Sequence, residues 1–105
     1  MKAHILIDKF IVPSAAKEEF YNQVRVRRAF IKSLPGFIAD HAYEQLTTEA
    51  QFSFVTVVIW ENEEAFINAR QAATAAYEKQ GFDLAGMLKR LNIQIDRASY
   101  QEIDQ

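Results

Sequence analysis

Residues 52–66, FSFVTVVIWENEEAF, decide the fold. Phe52 to Trp60 form a β-rich run that is apolar on both faces, and Glu61-Asn62 turn it at once into a helical pattern. Phe52, Phe54, Val58 and Trp60 share one face, with Thr56 as its only polar member; Ser53, Val55, Val57 and Ile59 share the other. A strand with one face in water alternates apolar and polar residues, so this strand needs cover on both sides. Helices of a small domain supply one cover. The simplest source of the second is another subunit.

The neighbouring segments complete the pattern. Residues 4–12 are a β-rich run closed by Pro13, which has no N–H for a ladder. Ser14 is placed to cap a helix that carries Glu18 and Glu19 near its positive end and runs to about Ser33, where Leu34-Pro35-Gly36 stops it. Its inner stripe is Ala16, Phe20, Val24, Ile31 and Leu34. Residues 37–45 read as a second strand and 47–51 as a polar hairpin loop. Asn62 caps a second helix with Glu63 and Glu64 in its first turn, and Gly81 ends it. Asp83 caps a short helix through Arg90, and residues 93–103 read as the last strand. The order is β-α-β-β-α-β, an α+β ferredoxin-like arrangement. It predicts a four-stranded antiparallel sheet with helices on one face and the first and third strands central. The bare apolar face predicts a homodimer formed sheet to sheet.

Composition narrows the function classes. A chain of 105 residues, half apolar and a quarter charged, suits one globular domain spanning 1–105. The absence of cysteine excludes disulfides, thiolate metal sites and a cysteine nucleophile, and fits a reducing cytoplasm. The opening MKAHILIDKFIV is interrupted by Asp8-Lys9 and lacks a cleavage site, and no run is long enough to span a bilayer. A net charge of −2 gives no electrostatic reason to bind nucleic acid. Gly36, Gly81 and Gly86 make no phosphate-cradling loop, and no metal-ligand spacing occurs. No metal and no cofactor is expected.

The junction Val57-Val58-Ile59-Trp60-Glu61-Asn62-Glu63-Glu64-Ala65-Phe66 resembles that of the antibiotic biosynthesis monooxygenase superfamily, and Leu34-Pro35-Gly36-Phe37 resembles its helix-to-strand turn. The likeness extends from about Ile5 to Tyr100. It implies a dimeric α/β barrel with a pocket between helices and sheet in each subunit. Some members of the superfamily resemble cofactor-free oxygenases of phenolic or quinol-type aromatics, and others degrade haem. Haem-degrading members carry a tryptophan and then a histidine on the second helix, where this chain has Ala69 and Lys79. The aromatic oxygenases carry a tyrosine where this chain has Phe66. Trp60 matches.

Several residues are candidates for chemistry. Arg27 falls inside the apolar stripe of the first helix, with Gln23 beside it. It is either a clamp for an anion or enolate, or the partner of a carboxylate such as Asp8, or a side chain reaching past the stripe to water. Arg25, Arg28 and Lys32 read as a solvated face. His41 shares its strand face with Phe37, Ala39 and Tyr43; it is a candidate base, or a hydrogen-bonded histidine at the sheet surface or dimer seam. His4, on a face with Leu6, Asp8 and Phe10, has the same two readings. Ala65, Ala69, Ala72, Ala73 and Ala76 on the second helix either let it approach the sheet or leave room for a ligand. Tyr77 could supply the hydroxyl absent at Phe66. The expectation is a cofactor-free monooxygenase acting on a small aromatic or quinol-type substrate. Arg27 would meet the charge, His41 or Tyr77 the proton, and Trp60, Phe66, Ala69 and Thr56 the ring. The alternatives are a non-catalytic dimeric small-molecule-binding or stress-related module, and haem binding or degradation through an atypical ligand.

Overall fold

The computed structural model describes residues 2–104. The strands are β1 (His4–Pro13), β2 (Phe37–Glu44), β3 (Gln51–Trp60) and β4 (Gln94–Tyr100); the helices are α1 (Lys17–Ile31), α2 (Glu63–Gln80) and the short α3 (Leu84–Arg90). The strands form one antiparallel sheet in the order β2-β3-β1-β4. β1 and β3 are central and pair along their whole length, from His4 opposite Trp60 to Pro13 opposite Gln51. The arrangement is ferredoxin-like, as the element order predicts, and the slab is 18 Å thick. Among the described residues, no helix is long and apolar enough to cross a membrane.

Strand parity puts Leu6, Asp8, Phe10 and Val12 under the helices beside Phe52, Phe54 and Trp60, all buried. The opposite face presents Ile5, Ile7, Val55, Val57 and Ile59, which are only half-buried. On β2 the expected parity fails. A bulge between Phe37 and Ala39 sets Phe37 opposite Trp60 and Ala39 opposite Ile59, next to it in the sequence of β3. Phe37 therefore turns to the helix side, edge-on to Trp60 at 5.8 Å, while Ala39, His41 and Tyr43 stay on the open face.

The ends of the elements also correct the sequence reading. Ser14 does not cap α1. It opens a 3-10 turn, its N–H donating to Ala50 O at 2.8 Å and its hydroxyl to Glu49 O at 3.3 Å, so the β1 end ties it to the hairpin instead. Ala16 is the N-cap and makes no side-chain cap. α1 ends at Ile31 rather than near Ser33, in tight turns from Ser33 N to Phe30 O and Leu34 N to Ile31 O. β4 ends at Tyr100, short of Ile103, where its ladder with β1 stops at the Ile5–Tyr100 pair. Asn62 does cap α2, accepting from Ala65 N at 2.9 Å, and Asp83 caps α3, accepting from Gly86 N at 3.0 Å. Gly81 closes α2 at φ +66°.

Gly36 locks the Trp60 end. Its φ is +83°, its carbonyl accepts from Glu61 N at 2.7 Å, and a Cβ there would lie 2.4 Å from Ala65 Cβ. Only glycine meets both the backbone conformation and the close approach of α2.

The core divides into two. The larger part gathers Phe10, Val12, Ala16, Phe20, Phe52 and Phe54 with Met87, Leu88 and Ile93 from the α3 region. The smaller part is Ile31, Trp60 and Ala69, backed by Phe30, Leu34, Phe37 and Phe66. Between them the sheet floor becomes polar. Asp8, in register with Thr56 on one side and Arg97 on the other, crosses the middle of the sheet.

Candidate functional site

A cavity of about 300 Å³ occupies that polar gap, with the sheet as floor and α1 and α2 as walls. Its floor is Leu6, Asp8, Thr56, Val58 and Trp60. Ala69 and Ala73, one turn apart on α2, leave the space open, and Phe66 and Tyr77 lie a turn beyond them on either side. Arg27, Arg28 and Ile31 of α1 close the other side. Arg27, Tyr77, Leu84 and Arg97 also border a small second cavity of about 40 Å³ towards the larger core. The cavity is therefore two-ended. Trp60, Phe66 and Ile31 make an apolar end; Arg27, Tyr77 and the Asp8–Arg97 pair make a polar one.

Asp8 is 5% exposed and is held by both Nε and a terminal nitrogen of Arg97, at 2.7 and 2.9 Å. Those hydrogen bonds raise the Arg97 guanidinium above its ordinary pKa against the opposing effect of burial, with the Asp8 charge and nearby Tyr77 contributing less. Asp40 of β2 accepts from Arg28 Nε at 2.5 Å, with Lys32 at 4.0 Å. Arg28 thus turns inward to the cavity edge, contrary to the solvated face expected for it.

The charge count follows. Four arginines (27, 28, 70 and 97) and two aspartates line the cavity. Each aspartate is taken by one arginine, so Arg27 and Arg70 have no carboxylate within 4.0 Å among the described residues. The Asp8–Arg27 pair raised as an option from sequence is not formed, because Arg97 takes that place on the adjacent strand.

Of the residues singled out from sequence, Arg27, Thr56, Trp60, Phe66, Ala69 and Tyr77 surround this one cavity. His41 does not. It is exposed on the open sheet face, stacked on Tyr43 at 6.4 Å. His4 stacks on Phe66 at 4.2 Å with Nε2 2.8 Å from Ser99 Oγ, and does not line the cavity. Among the described residues, no three His, Cys, Asp or Glu side chains gather to hold a metal ion. Sequence reasoning passed over Asp40, Arg70 and Arg97. Strand parity was the available signal for Arg97, which shares a face with Ile95 and Ser99.

The profile described as antibiotic biosynthesis monooxygenase matches residues 3–77. SnoaB, a cofactor-independent oxygenase from Streptomyces nogalater, superposes with a TM-score of 0.74 at 18% identity, covering 100% of this chain and 97% of that one. A monooxygenase from the ActVA-Orf6 gene of Streptomyces coelicolor, solved with nanaomycin D, gives 0.66 at 17% identity, covering 99% and 90%. A dimeric ferredoxin-like protein from an uncultured marine organism gives 0.69 at 13% identity, covering 100% and 99%. At these identities the likeness carries the fold alone. No protein of curated function matches the chain.

Proposed function

We propose that this chain, which belongs to the antibiotic biosynthesis monooxygenase family, is a cofactor-free oxygenase of a small phenolic or quinol-type aromatic. The observation that carries the reading is the two-ended cavity, which is lined both by the Trp60 ring and by an arginine, Arg27, that has no carboxylate partner within ion-pair distance among the described residues. Its volume, about 300 Å³, lies at the low end for ligand sites and suits one or two fused rings.

In the proposed reaction the substrate supplies every electron. A phenol loses its hydroxyl proton, and the phenolate gives electrons to O2. The ring carbon para to the hydroxyl then becomes the second carbonyl of a quinone. One oxygen atom enters the ring and the other leaves as water, so phenol plus O2 balances quinone plus water. Arg27 holds the phenolate oxygen and the negative charge that develops on it. Tyr77 offers the hydroxyl that hydrogen-bonds the leaving proton, and Thr56 and the Asp8–Arg97 pair keep that end polar. Trp60, Phe66 and Ala69 hold the ring and keep bulk water from the reactive carbon. His41, on the far side of the sheet, takes no part in this arrangement.

The test is an oxygen-electrode assay with 1-naphthol and with 1,4-dihydroxynaphthalene, run with chelator present and no added flavin, haem or metal. The expected result is enzyme-dependent uptake of one O2 per quinone formed from 1-naphthol, with one 18O atom in that quinone. Uptake no faster than the protein-free control with both compounds would leave the cavity a binding site only.

We also infer a homodimer through the open sheet face. Ile5, Ile7, Val55, Val57 and Ile59 form a contiguous, half-buried apolar surface there, of the kind that marks a protein interface. A ferredoxin-like protein of the same fold is dimeric. Sedimentation at micromolar concentration should give twice the chain mass of 12.1 kDa; a single-chain mass overturns the inference.

A further inference from the structure

We propose that Arg70, at the rim of the cavity, selects substrates whose ring carries a permanent carboxylate away from the hydroxyl that is oxidised. The inference rests on the aromatic-substrate reading of the cavity and adds a second point of recognition to it. Arg70 is exposed but lines the cavity, and its guanidinium lies over the Phe66 ring at 5.6 Å. Phe66 is itself stacked on His4 at 4.2 Å. The column His4–Phe66–Arg70 holds the guanidinium by its face and leaves its N–H edges free.

Among the described residues, no carboxylate lies within ion-pair distance of those donors. The positions three and four away on α2 are Phe66, Ile67, Ala73 and Thr74, none of them acidic. Asp40, which borders the same cavity, is bound by Arg28. The lining carries two more arginines than aspartates, and a phenolate at Arg27 balances only one of them. A carboxylate matches the planar fork of a guanidinium. Arg27 also borders the small second cavity and Arg70 does not, whereas Arg70 sits over Phe66, so the two cations meet different parts of a bound ring. The carboxylate therefore belongs at a position on the substrate away from the hydroxyl.

The probes are 6-hydroxy-2-naphthoate and 2-naphthol, which differ only in the carboxylate, titrated calorimetrically into the full chain. The naphthoate is expected to bind about tenfold tighter, a gap that narrows at high salt. Arg70→Gln should bring the two affinities to within about twofold, the carboxylate having lost its bidentate partner. Arg25→Gln, on the outer face of α1, should leave the gap intact. Equal affinities in the unaltered protein overturn the proposal, as does a gap that survives Arg70→Gln or disappears only in Arg27→Gln. Failure of both probes to bind overturns it together with the aromatic-site reading. A carboxylate preference without any oxygen uptake keeps the Arg70 assignment and removes the oxygenase reading alone.

Discussion

Arg97→Leu should lower the midpoint of thermal unfolding by roughly 10–20 °C. The cause is the carboxylate it leaves behind. Asp8 keeps 5% of its surface, and both its hydrogen bonds come from Arg97. Breaking a buried pair by removing one partner costs about 3–5 kcal/mol, because the other charge is stranded. The Arg97 side chain is 37% exposed, so water screens the pair and reduces the cost to about 2–3 kcal/mol. For a domain of about 100 residues each kcal/mol moves the midpoint by about 4–8 °C, which gives the stated range. Asp8→Leu combined with Arg97→Leu removes the stranded charge and should recover most of the loss. Calorimetric scans of the two variants decide the matter. If the double variant melts no higher than the single, the guanidinium acts through packing and the charge argument fails.

Arg27→Gln should lower kcat for phenol oxidation by about 10²–10³-fold with little change in KM, the size of effect found when one donor to a developing oxyanion is removed. The asymmetry between the constants follows from the chemistry. A neutral phenol gains little from the guanidinium on binding, whereas the charge that appears during electron transfer gains a great deal. Arg27→Lys keeps the charge without the planar fork and should recover part of the rate. Stability separates this from a structural role. Because Arg27 has no carboxylate within 4.0 Å among the described residues, its replacement should leave the unfolding midpoint nearly unchanged. Unchanged turnover and unchanged binding would remove Arg27 from the mechanism.

The fold was legible because its signals are local. Nine consecutive residues from Phe52 to Trp60 carry period two on both faces, and Asn62, Gly81 and Asp83 mark helix ends through contacts three to four residues away. The β2 bulge was not legible: nothing in Phe37-Ile38-Ala39 distinguishes it, and its cause is the docking of Phe37 against Trp60, far off in sequence. The site divides along the same line. Residues spaced on a helical face or a strand face, such as Arg27, Ala69, Tyr77 and Thr56, could be grouped before the fold was known. The pairings that set the cavity's charge could not. Asp8 and Arg97 are 89 positions apart, and only the register of β1 on β4 brings them together. Arg28 next to Arg27 reads as surface on a helical wheel, yet its long side chain reaches Asp40 across the α1–β2 gap.

Trp60 is the only tryptophan in the chain, is 3% exposed, and lies in the cavity floor with the Phe37 ring edge-on against it. The ultraviolet emission of this protein therefore comes almost wholly from one indole, placed where a bound ring would touch it. Filling the cavity and melting the smaller core both change that indole's surroundings, the first without and the second with a red shift toward the emission of tryptophan in water. One optical signal, needing no label, distinguishes occupancy from unfolding.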